Sequence, residues 1–224
     1  MRYVLKSMVM AGVLAAALAA QVPAPDFVLY PSVSSPVSFD LTFAVSGPPT
    51  STFAVLFTFD DPFSTPPEQI IIYPLVSGQI GASGQSSTTY SIPSWQGPLP
   101  DVWFGTIVYT PSGNVAIPAI FKLGGNFLVN AGAGLTSRVY ARNVGTGDVR
   151  MDGKTTLGGT VSMWDAPQPC PNLNGPFNVA APAVQFVDSM VIPATGCFSL
   201  TGNVPAGRCI VLMVGGVVIA TVDT

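Results

Sequence analysis

No histidine occurs anywhere in these 224 residues. That absence removes Ser–His and Cys–His nucleophilic sites, His-ligated zinc and any imidazole pH switch. Charge is scarce as well. Only 8% of the residues are Asp, Glu, Lys or Arg, against about 25% in an average soluble protein. Between Lys6 and Lys122 there is no Lys or Arg at all. Nucleic acid is therefore not an expected partner, because phosphate binding needs a dense basic face. Arg138, Arg142, Arg150 and Lys154 form the only local basic cluster, and strand alternation would scatter their side chains. Walker-type loops, dinucleotide fingerprints and Asn-x-Ser/Thr sequons are missing too.

Long apolar runs are also lacking after the N-terminal segment. The longest late run, Ile210 to Val222, is interrupted by Gly215-Gly216 and reads as a buried hairpin, too short for a bilayer. No transmembrane segment is expected in the mature chain. At the start, Arg2 and Lys6 precede an apolar stretch from Met8 to Ala20, and Ala17-Leu18-Ala19 has the small-x-small pattern of a cleavage point. This predicts a secretory signal peptide over residues 1–19. No Cys follows the run, so a lipid anchor is not expected. Removing Arg2 and Lys6 takes the formal net charge from −3 to −5. A surface covered mainly by Ser, Thr, Asn and Gln repels its neighbours weakly, which favours self-association.

Glycine and proline are plentiful, at 23 and 22 residues. They punctuate dense apolar runs as turns punctuate strands. Val37 to Val45 alternates apolar odd positions with small or polar even ones, placing Val37, Phe39, Leu41, Phe43 and Val45 on one strand face. After Ser46-Gly47-Pro48-Pro49, Thr52 to Phe59 repeats the pattern, and the two are expected to be antiparallel neighbours. Phe27 to Tyr30 is expected as an edge strand. Further strands are predicted at 69–73, 88–92, 103–109, 115–122, 137–143, 160–164, 183–192, 198–201, 209–214 and 217–222. Val214-Gly215-Gly216-Val217 has the form of a tight hairpin turn. No helix is predicted beyond the signal peptide.

The expected fold class is all-β. Two tandem antiparallel β-sandwich-like domains, residues 20–124 and 125–224, meet at Gly124-Gly125-Asn126; the alternative is one larger sandwich. All three cysteines, Cys170, Cys197 and Cys209, fall in the second half. An oxidising exterior allows one disulfide among them, and the sequence leaves all three pairings open. A bridge from the Pro-rich loop holding Cys170 to a strand is one of these.

Two constellations carry binding chemistry. Asp60 and Asp61 end a strand where the chain turns. Short carboxylates there cap turns; the functional alternative is a calcium site completed by Glu68 or Asp101. Trp95 and Trp103 flank a proline-stiffened loop that includes Asp101. Such rings beside a carboxylate stack on sugars when exposed, and fill a core when buried. The resulting expectation is an exported, non-catalytic module with a structural or interaction role at a surface or in a matrix. Its partners would be copies of itself or other surface proteins. The alternatives are a carbohydrate- or calcium-binding module, with a glycan partner or calcium as cofactor, and last a carboxylate-dependent hydrolase. The expected location is the cell surface, the periplasm or the medium.

Overall fold

The computed structural model describes residues 23–35, 38–93, 100–124, 127–130, 132, 134–173 and 176–224. Along these the chain forms β1 (Asp26–Ser35), β2 (Ser38–Ser46), β3 (Thr52–Thr58), β4 (Tyr73–Gln79), β5 (Gln85–Ile92) and β6 (Val102–Tyr109). Next come β7 (Val115–Ala116), β8 (Ile120–Leu123), β9 (Leu128–Val129), β10 (Leu135–Asn143) and β11 (Asp148–Thr155). The chain finishes with β12 (Gly159–Pro167), β13 (Gln185–Ile192), β14 (Gly196–Asn203), β15 (Arg208–Val214) and β16 (Val217–Asp223). Pro67–Gln69 makes a short 3₁₀ turn. The protein is all-β, and every strand pairing is antiparallel.

Three sheets result. A small one runs β1-β2-β5, a long one runs β14-β11-β10-β8-β6-β3-β4 with β7 beside β6, and a third runs β13-β12-β15-β16-β9. Alternation on β2 buries Phe39, Leu41, Phe43 and Val45. They meet Phe53 and Val55 of β3, Phe104 and Val108 of β6, and Phe121 and Leu123 of β8 in one apolar core. The small sheet thus covers the β10-β8-β6-β3 part of the long sheet. A second core joins Met151, Phe198 and Leu200 of the long sheet to Met163, Ile210, Leu212 and Ile219 of the third.

Strand β10 belongs to both cores. Val139 and Ala141 point into the first, while Tyr140 between them points into the second. The small sheet and the third sheet therefore lie on opposite faces of the long sheet, displaced along it. Each strand beneath a cover needs apolar residues at every other position, but β10 needs them at consecutive positions. Val139-Tyr140-Ala141 supplies that.

Several expectations require correction. β2 and β3 are not neighbours in one sheet; they lie in different sheets and face each other across the first core. Their matched apolar faces made both arrangements equally good as patterns. The segment expected as a strand at 69–73 is largely the exit from the 3₁₀ turn, and β4 begins at Tyr73. The run at 115–122 is divided by Ile117-Pro118-Ala119 into β7 and β8. β11, unforeseen because Asp, Arg and Lys interrupt its apolar positions, carries the ladder to β14. The hairpin at Gly215-Gly216 occurs as expected: both glycines have positive φ, 57° and 83°, as a two-residue type I′ turn requires. Phe27 to Tyr30 does lie in an edge strand, β1. The long sheet runs through the expected boundary at 124, with β8 before it paired to β10 after it.

Candidate functional site

Of the residues expected to bind a ligand, Trp103 lies on the face of the long sheet opposite the first core, with Asp101 beside it. Alternation on β6 sends Phe104 and Val108 into the first core and turns Trp103 to the opposite side. Trp103 stands directly across from Lys122 of β8. The ammonium lies 5.4 Å from the centre of the Trp103 ring and forms an ion pair of 2.9 Å with Asp101. Contacts of this exposure contribute about 0.5–1 kcal/mol each. Trp103 keeps only 9% of its surface exposed, so little of the indole is open to stack on a sugar. The structure joins Asp101 and Trp103 through a cation that sequence reasoning did not connect to them. The β6–β8 register was the missing information. Trp95 lies outside the described residues.

Asp60 and Asp61 serve the backbone of the loop they begin. Asp60 Oδ2 accepts the Ile71 amide at 3.0 Å, and Asp61 Oδ1 accepts the Phe63 amide at 2.9 Å. The Asp60 amide in turn donates to Thr58 Oγ1 at 3.0 Å. These bonds are the turn-capping arrangement. Among the described residues, Asp60, Asp61, Glu68 and Asp101 do not converge as a metal-ligand group. Cys170, Cys209 and Asp223 do lie together, but the two sulfurs are bonded to each other and offer no thiolate to a metal.

Next to Trp103 lies an apolar hollow of about 180 Å³, lined by Leu56, Ile70, Ile72, Ile107 and Ile117, with no charged side chain. Phe63, Ile71 and Val115, all exposed, extend the apolar character of this end of the molecule. A larger cleft, about 710 Å³, runs between β1 and the β10-β11-β14 surface. Its lining is mostly apolar, with Phe27, Val28, Phe121 and Val149, and Asp26, Asp148, Arg150 and Asn203 add polar groups to its walls. Arg150 is held 2.8 Å from Asp152 and 5.8 Å from the centre of the Tyr30 ring. Hydrogen bonds from Thr146 and Asn203 hold the Asp148 carboxyl below its ordinary value.

The cysteine pairing is Cys170 with Cys209, tying the Pro-rich loop to β15. Cys197 is a free, exposed thiol. Nearby, Arg208 pairs with Asp165 at 2.7 Å and donates to the Ala183 carbonyl at 2.7 Å. Trp164 is half-buried, donates to Ser162 Oγ at 2.9 Å and meets Phe186 edge-on at 5.3 Å. No family model matches this chain, and no curated protein matches it in sequence.

Proposed function

We propose that this is an exported, non-catalytic β-sandwich protein that acts as a structural or interaction module and associates with copies of itself or with other surface proteins. The observation that carries the reading is the charge-free flank between Glu68 and Asp101. No Asp, Glu, Lys or Arg occurs between them, yet the segment supplies β4 and β5, each ending a sheet. Charge at sheet edges is a principal means of keeping chains apart. Where it is absent, approach of another chain meets little repulsion.

The carboxylates support the same reading. Asp101, Asp152 and Asp165 are spent on ion pairs, and Asp60 and Asp61 on turns. Each has a role in holding the fold. Export rests on the N-terminal Arg2, Lys6 and Met8–Ala20 pattern. Among the described residues no helix is long and apolar enough to cross a membrane, and the Cys170–Cys209 disulfide is compatible with an oxidising exterior.

Light scattering on the exported protein across concentration, with and without reductant, tests the proposal. Mass that rises with concentration is expected, and its persistence under reductant assigns association to surfaces rather than to Cys197. A monomer at every concentration, with no partner recovered from the exporting cell's surface fraction, would overturn it.

A further inference from the structure

Among the described residues the three sheets end in six strands, with the two-residue β7 a further short edge beside β6, and five of the six carry a feature that hinders pairing with another chain. β1 contains Pro31 and a register break between Val33 and Ser35, and it borders the cleft that Arg150 and Asp148 line. β4 contains Pro74 and a register break opposite Val55 and Leu56. β9 is two residues long. β13 bears Asp188 and a register break opposite Met163 and Trp164. On β14, the Thr201 amide already donates to that Asp188 at 2.9 Å. Proline, charge, shortness and bulges are the recognised protections of a sheet edge.

β5 has none of them. Its sequence Gln-Ser-Ser-Thr-Thr-Tyr-Ser-Ile holds no charge and no proline, and it pairs with β2 over eight consecutive residues without a break. Among the described residues no strand covers its far side. The phase of the ladder shows which groups face outward. Gly47 donates to the Gly84 carbonyl directly opposite at 3.0 Å, and antiparallel pairs alternate between bonded and unbonded. Ser86, Thr88, Tyr90 and Ile92 consequently turn their backbone groups toward β2, whereas Ser87, Thr89 and Ser91 turn theirs away. Two contacts agree with that phase. Gln85 offers its carbonyl outward, to Gly81 at 3.3 Å. Thr42 and Thr89, opposite each other, bring their hydroxyls to 2.9 Å, as the closer unbonded pairs do.

We infer that β5 is the self-association edge, and that it receives β5 of a second copy in antiparallel register about a two-fold axis through Thr89. This rests on the self-association reading proposed above and names the surface that performs it. The outward residues Ser87, Thr89 and Ser91 are symmetric about Thr89. An antiparallel copy therefore places Ser87 against Ser91 of the second copy and Thr89 against itself, each pair exchanging two backbone bonds. The edge is self-complementary in charge as well, because nothing charged lies between Glu68 and Asp101 to repel its own copy. The side chains of Ser87, Thr89 and Ser91 are exposed, so they tolerate substitution without disturbing the first core. Two three-stranded sheets become one of six strands, and Tyr90, half-exposed at the open side of the sandwich, lies alongside the new ladder.

The experiment measures the mass of the exported protein and its variants by light scattering, with circular dichroism and melting temperature as the check on folding. Thr89→Lys sets two lysines opposite each other, and is expected to weaken the dimer at least about tenfold. The doubly positive Ser87→Lys/Ser91→Lys is expected to dissociate it similarly. Ser87→Lys/Ser91→Asp alters the same two positions but sets opposite charges together, so it is expected to dimerise within a few-fold of the parent. That contrast decides the register even if Thr89→Lys fails to fold. If the parent associates and all three variants associate equally, the β5 assignment is overturned while self-association stands. A parent that is monomeric throughout overturns both.

Discussion

The two cores differ in chemistry although one sheet floors them both. The first is built on phenylalanine: Phe27 and Phe43 stack at 6.4 Å, Phe121 meets Phe27 edge-on at 5.5 Å, and Phe104 lies 5.5 Å from Phe43. The second is mostly aliphatic and sulfur-containing, with Val161, Met151, Met163, Leu200, Ile210 and Leu212. Around the first core the chain has almost no cations, and its loops are held by Asp-capped turns and ring contacts. Around the second, cations are present and used: Arg150 with Asp152 and Arg208 with Asp165, reinforced by the disulfide. Lys122 is where the two regimes meet, reaching back to Asp101. The lesson is that scarce charge changes how loops are pinned without preventing a well-filled core.

The largest test of that difference is truncation within each core. Phe43→Ala is expected to cost about 3–5 kcal/mol and Leu212→Ala about 2–5 kcal/mol. Because β10 is buried on both faces, each change should lower a single unfolding transition. Tryptophan fluorescence and far-UV circular dichroism, followed through a denaturant titration, check this; two separated transitions would show that the cores unfold independently. Next in size is the second region's covalent tie. Replacing Cys170 and Cys209 together by Ala releases a closed loop with a sequence separation of 39, and is expected to cost about 3–4 kcal/mol. The denaturant midpoint measures it, and an unchanged midpoint would make the ion pairs and packing sufficient on their own.

The smallest effect concerns Tyr140, which the shared strand β10 turns into the second core. Burial pushes the Tyr140 phenol up, more than Arg142 pulls it down, and its hydroxyl has no hydrogen-bond partner among the described residues. A phenol whose folded value is raised contributes stability that is fully present below the unfolded value, about pH 10, and is lost as pH rises from there. Tyr140→Phe is therefore expected to be neutral or stabilising by about 1 kcal/mol at pH 7 and to flatten the alkaline loss. Melting temperatures of both proteins between pH 7 and 11 check the sign. A destabilised Phe variant would mean that the hydroxyl is satisfied after all.

Much of the strand content was legible in residues such as Phe39, Leu41 and Phe43, because a two-residue period reports one buried face directly. The hairpin at Gly215-Gly216 was legible for a similar reason, since adjacent glycines meet its need for positive φ. The candidate site was less so. Asp61 was readable as a turn cap, because its partner Phe63 lies two residues on, whereas the Asp60 carboxylate reaches across the loop to Ile71. Lys122 was not readable as the partner of Trp103 and Asp101, because their meeting depends on register between β6 and β8.

By itself the sequence determined the all-β class, the absence of imidazole chemistry and the scarcity of charge, since composition and local periodicity are properties of the chain alone. Which strands became neighbours was decided only in the tertiary structure. So were the pairing of Cys170 with Cys209, the burial of β10 on both faces and the exposure of β5 as an unprotected edge. Apolar faces attract without direction, so β2 fitted β3 equally well beside it or across a core. Only the backbone hydrogen bonds of the assembled sheets selected between the two.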